Sequence, residues 1–301
     1  MKLLEFIKNP KLIIRHFKLK RLYGKYGRSL SDEEYLKQMY KLRVGKELDL
    51  ENPKTFNEKL QWLKLHDRNP EYTKLVDKYE VKKYVADIIG EEYIVPTLGV
   101  YNSFDEIDFN SLPNQFVIKC THDSGSVMIC KDKSKFNVKK AKKYFNKKLS
   151  YNYYWNSREW PYKNVKPRII IEKYIEAFSI GNRLKDFKFM CFSGCIKFVE
   201  VHTDRFENHT QDYYDINFEK MNIVRDVKVS DCILSKPECY DEMLEYTKKL
   251  AKSYPFVRID WYVTNDRLYF GEITFYDSSG FEMFNPVEYN EIYGDLIKIN
   301  I

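Results

Sequence analysis

Arg258, Asp260, Glu272 and Thr274 are the residues whose types and spacing most directly imply chemistry in this chain. Two alternating apolar runs carry them, one with Arg258, Asp260 and Tyr262 and one from Leu268 to Thr274. The turn residues Thr264, Asn265 and Asp266 join the runs, and the pattern reads as a β-hairpin. Strand alternation puts Arg258, Asp260 and Tyr262 on one face, and likewise Glu272 and Thr274. Two carboxylates brought close across a sheet repel each other unless a positive charge lies between them. Mg²⁺ fills that position in nucleotide enzymes, held by one or two carboxylates plus phosphate oxygens. A solvated hairpin with ordinary surface acids has the same spacing, so the rest of the chain has to decide.

Further upstream, Lys119 ends an apolar strand and precedes a small polar loop running from Thr121 to Ser126. A lysine beside a Gly/Ser turn can reach nucleotide phosphates while the N–H groups of Ser124, Gly125 and Ser126 hold their oxygens. A snorkelling lysine beside a plain hairpin turn explains the same residues. Gly-x-x-x-x-Gly-Lys-Ser is absent, so this is not a Walker A loop. Glu172, Lys173 and Ile175 leave a buried-type strand in a hinge-like position. Such a hinge can offer backbone groups to an adenine edge, or it can be a simple strand end. Asp186 and Lys188 alternate with Phe187 and Phe189 on the next strand, which suits a cleft or a solvent-facing sheet. Asp77 and Lys78 fall at a helix start, with Lys82 one turn on; a first-turn Asp is favoured there, while Lys78 opposes the helix dipole unless it serves something else.

The elements that must position these groups are ordinary for a soluble chain. At 301 residues, 44% hydrophobic and 32% charged, it can bury a sizeable core. No apolar stretch approaches the roughly 20 residues that span a bilayer, and no secretory pattern opens the chain. Six cysteines without a Cys-x-x-Cys pair read as reduced thiols of a cytoplasmic protein. Residues 1–28 hold nine Lys/Arg against Glu5, so the body carries no basic excess and nucleic acid is not an expected partner. Leu12, Ile14, Phe17 and Leu19 alternate with those cations at roughly helical spacing, as in a helix on an anionic membrane face or one packed on its own domain. Capping boxes at Ser31 and Thr55 start helices, and a third is expected from about Thr73 to Ile89. Strands follow at 93–96, 115–119, 126–130, 168–174, 185–192 and 196–202, with helices at 138–149 and 237–253. Helices and mostly antiparallel strands mix without βαβ alternation, an α+β pattern.

The order of these parts resembles the ATP-grasp superfamily over about residues 75–285. The phrases from Lys54 to Leu60, Cys120 to Gly125 and Asp186 to Phe189 are similar to its TupA-like branch, named for teichuronopeptide biosynthesis. The resemblance implies a nucleotide between two α+β subdomains, behind a short helical N-terminal region. The expected division is a basic amphipathic segment 1–30, a helical region 31–92, a first subdomain 93–175 with phosphate loop and hinge, and a second subdomain 176–301 with the metal-binding hairpin. It implies that Lys78 and Lys119 contact ATP phosphates, that Ser124, Gly125 and Ser126 form the phosphate loop, and that Glu172, Lys173 and Ile175 frame adenine, with Asp186 among the nucleotide-binding residues. Asp260, Glu272 and Thr274 would ligate Mg²⁺, and Arg258 and Lys188 would stabilise the transferred phosphoryl group. Many members carry Asn where this chain has Thr274, a poorer neutral metal ligand. The domain that usually precedes the nucleotide-binding halves is replaced by short helices, so no substrate pocket carries over.

The implied activity is an ATP- and Mg²⁺-dependent carboxylate–amine ligase working through an acyl phosphate. It would join an amino acid or other amine to a carboxylated saccharide in capsular or cell-wall polysaccharide assembly, in the cytoplasm or at the inner membrane face. A glycosyltransferase would also use metal-holding carboxylates and aromatics, but it leaves Lys119 and Glu172 without a role. A degenerate, non-catalytic adaptor is the third reading, against which the intact Arg258, Asp260 and Glu272 stand.

Overall fold

The computed structural model describes residues 10–175, 185–203, 208–252, 254–264 and 267–300. The first nine residues of the basic segment, and Asn265 and Asp266 of the hairpin turn, lie outside them. The described chain opens with α1 (Pro10–Tyr23) and the short α2 (Lys25–Ser29). Both capping boxes form. Ser31 Oγ accepts the Glu34 N–H at 3.2 Å and the Glu34 carboxylate accepts the Ser31 N–H at 3.1 Å, starting α3 (Asp32–Arg43). Thr55 and Glu58 repeat the exchange ahead of α4 (Phe56–His66).

The single helix expected from Thr73 to Ile89 is two helices, α5 (Glu71–Val76) and α6 (Glu80–Ile89). Asp77 causes the break. Its backbone is extended, and its Oδ1 accepts from the N–H groups of Tyr79 at 2.8 Å and Glu80 at 3.3 Å, capping the second helix. The strand expected at 93–96 is likewise displaced. A 3₁₀ turn occupies Glu91–Tyr93, and β1 (Thr97–Tyr101) begins after Pro96.

Two antiparallel sheets follow. β1, β2 (Phe116–Cys120), β3 (Val127–Cys130) and β4 (Ile169–Lys173) make a four-stranded sheet in the order β1-β4-β2-β3. The helix α7 (Val138–Leu149) and Phe104 cover it, giving a small core of Phe116, Ile118, Phe145, Ile169 and Ile171. The larger sheet runs β10-β9-β5-β6-β7-β8, built from β5 (Lys185–Phe192), β6 (Cys195–Thr203), β7 (Thr210–Asp215), β8 (Lys220–Met221), β9 (Phe256–Thr264) and β10 (Arg267–Thr274). Strands β7 and β8 were not expected, because neither carries an apolar run. The helices α8 (Tyr240–Ala251) and α9 (Tyr289–Leu296) complete the chain.

Helices α4 to α6 share their core with the larger sheet: Phe56, Leu60, Tyr72, Val81 and Val85 belong to one cluster with Phe187, Phe189, Val199 and Trp261. The earlier helices form a separate cluster in which Leu22, Tyr35, Met39 and Tyr40 meet Phe281. Trp160 fills the large core, stacked 5.8 Å from Tyr72. No helix among the described residues is long and apolar enough to cross a membrane.

Candidate active site

On the small sheet, Lys119 from β2 and Glu172 from β4 come together with Lys82 from α6. Glu172 Oε2 lies 2.6 Å from Lys119 Nζ and its Oε1 lies 2.5 Å from Lys82 Nζ. The carboxylate is buried, which pushes its pKa up, but the two lysines outweigh burial and hold it at about 2. Lys82 is pulled the other way: burial lowers its pKa, and Glu172 only partly restores it. Both Glu172 oxygens therefore hold lysine heads in place. Because Glu172 titrates far below its ordinary 4.5, its contribution is complete above that pH and fades as pH falls from 4.5 toward about 2. Glu172→Gln is expected to destabilise the fold by about 2–3 kcal/mol at pH 7, since two half-buried cations lose their partner. Urea midpoints should show that gap at pH 7 and a narrower one at pH 3.5.

The loop after Lys119 is closed at its base by the Cys120 N–H donating to Ser126 O at 3.3 Å. Gly125 has φ +85°, and a Cβ there would meet nothing within 4 Å, so the loop tip faces open space. Ser124 is exposed, while Ser126 is buried with its hydroxyl on the Asp123 carboxylate. Lys78 sits beneath this loop: its N–H donates to Thr121 O at 3.1 Å and its ammonium donates to Asp123 O. Lys78 and Lys119 thus flank the same turn, with Lys82 added one helical turn after Lys78. Lys173 is exposed at the end of β4, its N–H donating to Pro96 O at 2.9 Å, and Ile175 follows, half-buried.

On the larger sheet, register pairs Lys188 with Asp260 and Thr274 with Arg258. Between Phe270 and Ile273 the β9–β10 register slips by one residue, so Gly271 and Glu272 together oppose Asp260. Without that bulge Glu272 would follow Phe270 and Trp261 onto the apolar face; the extra residue turns it onto the face of Arg258 and Asp260. Gly271 makes the slip fit, because a Cβ there would lie 3.1 Å from that of Asp260.

Arg258 is the centre of the resulting cluster. Its guanidinium donates to Asp260 through Nε at 2.7 Å and Nη2 at 2.8 Å, to Glu272 at 2.7 Å and to Asp277 at 2.7 Å. Lys188 reaches Asp186 at 3.0 Å and also pairs with Asp260. Arg225 holds the second oxygen of Asp277 at 2.6 Å and lies 3.7 Å from Glu200. Thr274 Oγ1 donates to Glu272 at 3.3 Å. Among the described residues, Lys188, Arg225 and Arg258 link six carboxylates (Asp186, Glu200, Asp260, Glu272, Asp277 and Glu282), and His202 also pairs with Glu200. Burial pushes the Asp260 carboxyl up to about 6; Arg258 and Lys188 oppose the rise, and Glu272 and Asp186 add to it. Asp277, bridged by Arg225 and Arg258, stays lowered despite its burial.

Carboxylate oxygens are the donors Mg²⁺ takes, so Asp260 and Glu272 have the chemistry to hold it. No group of three or more His, Cys, Asp or Glu among the described residues is arranged as a metal cage. A nucleotide-bound Mg²⁺ needs none, since phosphate oxygens and water complete its shell. Tyr153 links the two halves: it lies within hydrogen-bonding reach of Ser124 and within the field of Glu272 and Asp123. The turn after Lys119 and Glu272 of the acid cluster therefore both lie near Tyr153. Lys82 was noted one turn beyond Lys78 but given no role, and Asp277, which was passed over, had a local signal three residues beyond Thr274. Arg225, Glu200 and Tyr153 had none.

Residues 58–298 match the profile of the TupA-like ATPgrasp family. The chain belongs to that family. No curated protein matches the chain. Among solved structures, the TupA-like chain is similar to D-alanine–D-alanine ligase from Helicobacter pylori, at 16% identity over 74% of this chain and 63% of that one, TM-score 0.43. The Bacillus anthracis D-alanine–D-alanine ligase complexed with ATP gives 15% identity, 74% and 63% coverage and TM-score 0.41. Biotin carboxylase from Campylobacter jejuni gives 14%, 66%, 40% and 0.39. The chain spans less than two thirds of the length of each.

Proposed function

We propose that this TupA-like ATP-grasp chain is an ATP-dependent carboxylate–amine ligase acting in surface-polysaccharide assembly. The observation that supports it most is Tyr153 spanning from Ser124 to the field of Glu272, because it places a lysine-flanked Gly/Ser turn and Glu272 of the carboxylate-rich cluster near one side chain. In the proposed reaction a substrate carboxylate oxygen attacks the γ-phosphorus of ATP and ADP leaves. An amine then attacks the acyl carbon, inorganic phosphate leaves, and the amine gives up a proton.

A carboxylate and a triphosphate repel each other, so the site has to supply fixed positive charge. In this reading Lys119, Lys78 and Lys82 hold phosphate oxygens, with Glu172 fixing two of those lysines. Ser124, Gly125 and Ser126 offer backbone N–H groups to the same oxygens. Lys173 and Ile175 frame the adenine from the hinge. Arg258 and Lys188 are aimed at the transferred phosphoryl group, and Asp186 restrains Lys188. Asp260 and Glu272, with Thr274 beside them, would hold Mg²⁺, which when bound supplies charge neutralisation at the phosphates. The exposed Ile14 and Phe17 lie beside Arg15 and Lys18 on α1, which fits contact with an anionic membrane carrying a lipid-linked glycan.

ADP release with paired uronates and amines tests the assignment, and no turnover across such pairs together with no ATP binding by calorimetry contradicts it. That result would leave the non-catalytic adaptor. Lys119→Ala is expected to weaken ATP binding by at least tenfold, as removal of a fixed cation from a phosphate requires. A variant that binds ATP like the parent would take Lys119 out of the site.

A further inference from the structure

A cavity of about 350 Å³ is lined in part by Tyr153. That volume is within the range of about 300–1,000 Å³ typical of small-molecule sites. Its walls come from parts of the chain to which the family resemblance gives no role. They are Tyr23 at the end of α1, Arg43 at the end of α3, Asn156 between α7 and β4, and Ser278 with Phe281 after β10. We propose that this cavity binds a small polar substrate bearing a carboxylate, with Arg43 as the residue that pairs with it. The inference rests on the ligase reading and names a pocket for one of its two substrates.

Three observations converge on it. Arg43 is the only charged group among those walls, and its guanidinium has no ion-pair or hydrogen-bond partner among the described residues. Only its backbone carbonyl is used, accepting from Arg15 at 3.3 Å. Second, the wall opposite is held in a costly conformation. Ser278 and Ser279 have φ of +46° and +55°, a region that side chains other than glycine rarely enter.

The buried Lys64 and Gln61 hold that conformation by donating to Ser279 O at 2.8 and 3.1 Å. Lys64 donates also to Gln61 and to Ser157 O, both at 2.9 Å, and meets no carboxylate. Burial accordingly lowers its pKa to about 7. Third, the strained serines directly follow Asp277, which bridges Arg225 and Arg258, so the cavity wall is continuous with the acid cluster. Tyr153 lines the cavity and also lies near Ser124 of the turn after Lys119. A molecule in this cavity has a carboxylate partner in Arg43, an N–H donor in the Asn156 amide, and ring faces in Tyr23 and Phe281. The Ser278 and Ser279 hydroxyls donate to Glu282 and Glu159, so they can only accept from it. A sugar acid and an amino acid both have that chemistry.

Saturation-transfer NMR on the full chain with ADP and Mg²⁺ tests the pocket, using glucuronate, L-alanine and neutral glucose as probes. Transfer to glucuronate, reduced at least tenfold in Arg43→Ala, assigns the cavity to the carboxylated sugar; the same pattern for alanine assigns it to the amino acid. Tyr23→Ala is expected to weaken the same probe, and Arg43→Lys to retain part of the signal. Calorimetric ATP binding should be unchanged in all three variants, which shows that they are folded. Transfer that survives Arg43→Ala, or carboxylate probes that bind no better than glucose, overturns the pocket while leaving the nucleotide site intact. A parent protein that binds no nucleotide removes the ligase reading and the pocket with it.

Discussion

Arg258→Ala is expected to cost about 3–5 kcal/mol of folding stability as well as activity. The side chain ties together Asp260, Glu272 and Asp277, of which Asp260 and Asp277 are almost wholly buried. Removing it leaves Asp260 with Lys188 and Asp277 with Arg225, each short of one partner, while the partly exposed Glu272 contributes least to the loss. The penalty should depend on pH in a stated direction. Asp260 already titrates above its ordinary 3.8, at about 6, and Arg258 is the strongest influence pulling it down. Without Arg258 the folded value rises further. An aspartate whose folded pKa is raised costs stability only while ionised, so that cost is full above the folded pKa and fades as pH falls from there toward the ordinary 3.8. The extra cost in the variant fades between its own folded pKa and the parent's value of about 6. Urea midpoints of parent and variant should therefore differ most at pH 8 and converge toward pH 5. Equal midpoints at pH 8 would show that the guanidinium does not organise the cluster.

Asp260→Asn is expected to separate function from fold. The substitution keeps the shape and removes a charge that burial disfavours. Lys188 keeps Asp186 while Arg258 keeps Glu272 and Asp277, so stability at pH 7 should fall by less than in Arg258→Ala. Activity should fall by about 10³-fold, because metal-assisted charge stabilisation is worth several kcal/mol and each 1.36 kcal/mol is tenfold. The Mg²⁺ dependence of ADP release should shift as well. In the parent, a carboxyl near pKa 6 must lose its proton to bind a cation, so the Mg²⁺ requirement should rise as pH drops from 7 to 5. Full activity of Asp260→Asn at saturating Mg²⁺ would remove the carboxylate from the metal site.

The legible part of this site was the part written locally. Ser31 and Thr55 announce their helices through a four-residue exchange of hydrogen bonds, and both helices start where that exchange requires. Arg258 and Asp260, two residues apart on a strand, had to share a face. Glu272 was placed correctly beside them, although the alternation of β10 alone hides the bulge that turns it there. The helix break at Asp77 was missed because Asp77 was read as a first-turn residue of one long helix, whereas its side chain caps the next one.

That break also governs which lysine meets Glu172: Lys82 stands on the restarted helix, while Lys78 lies at the break and bonds to the loop. Strands β7 and β8 were invisible since Gln211 and Asp212 sit next to Tyr213 and Tyr214 with no apolar alternation. Arg225, Glu200 and Tyr153 reach the site from far along the chain, and no periodicity records such a meeting. Residues 1–28 were read as a helix on a membrane face or one packed on its own domain, and α1 from that segment, with α3, supplies two walls of the cavity beside Tyr153.

In the proposed site Asp260 and Glu272 carry a divalent cation against a triphosphate held by Lys119, Lys82 and the turn at Ser124 to Ser126. A crystal grown with Mn²⁺ and a non-hydrolysable ATP analogue, with the metal placed by its anomalous scattering, tests this directly. The metal should lie on Asp260 and Glu272, with Arg258 displaced from at least one of them and the triphosphate directed at Lys119. A nucleotide bound elsewhere, or bound with no metal on those acids and Arg258 still closed over both, would contradict the account.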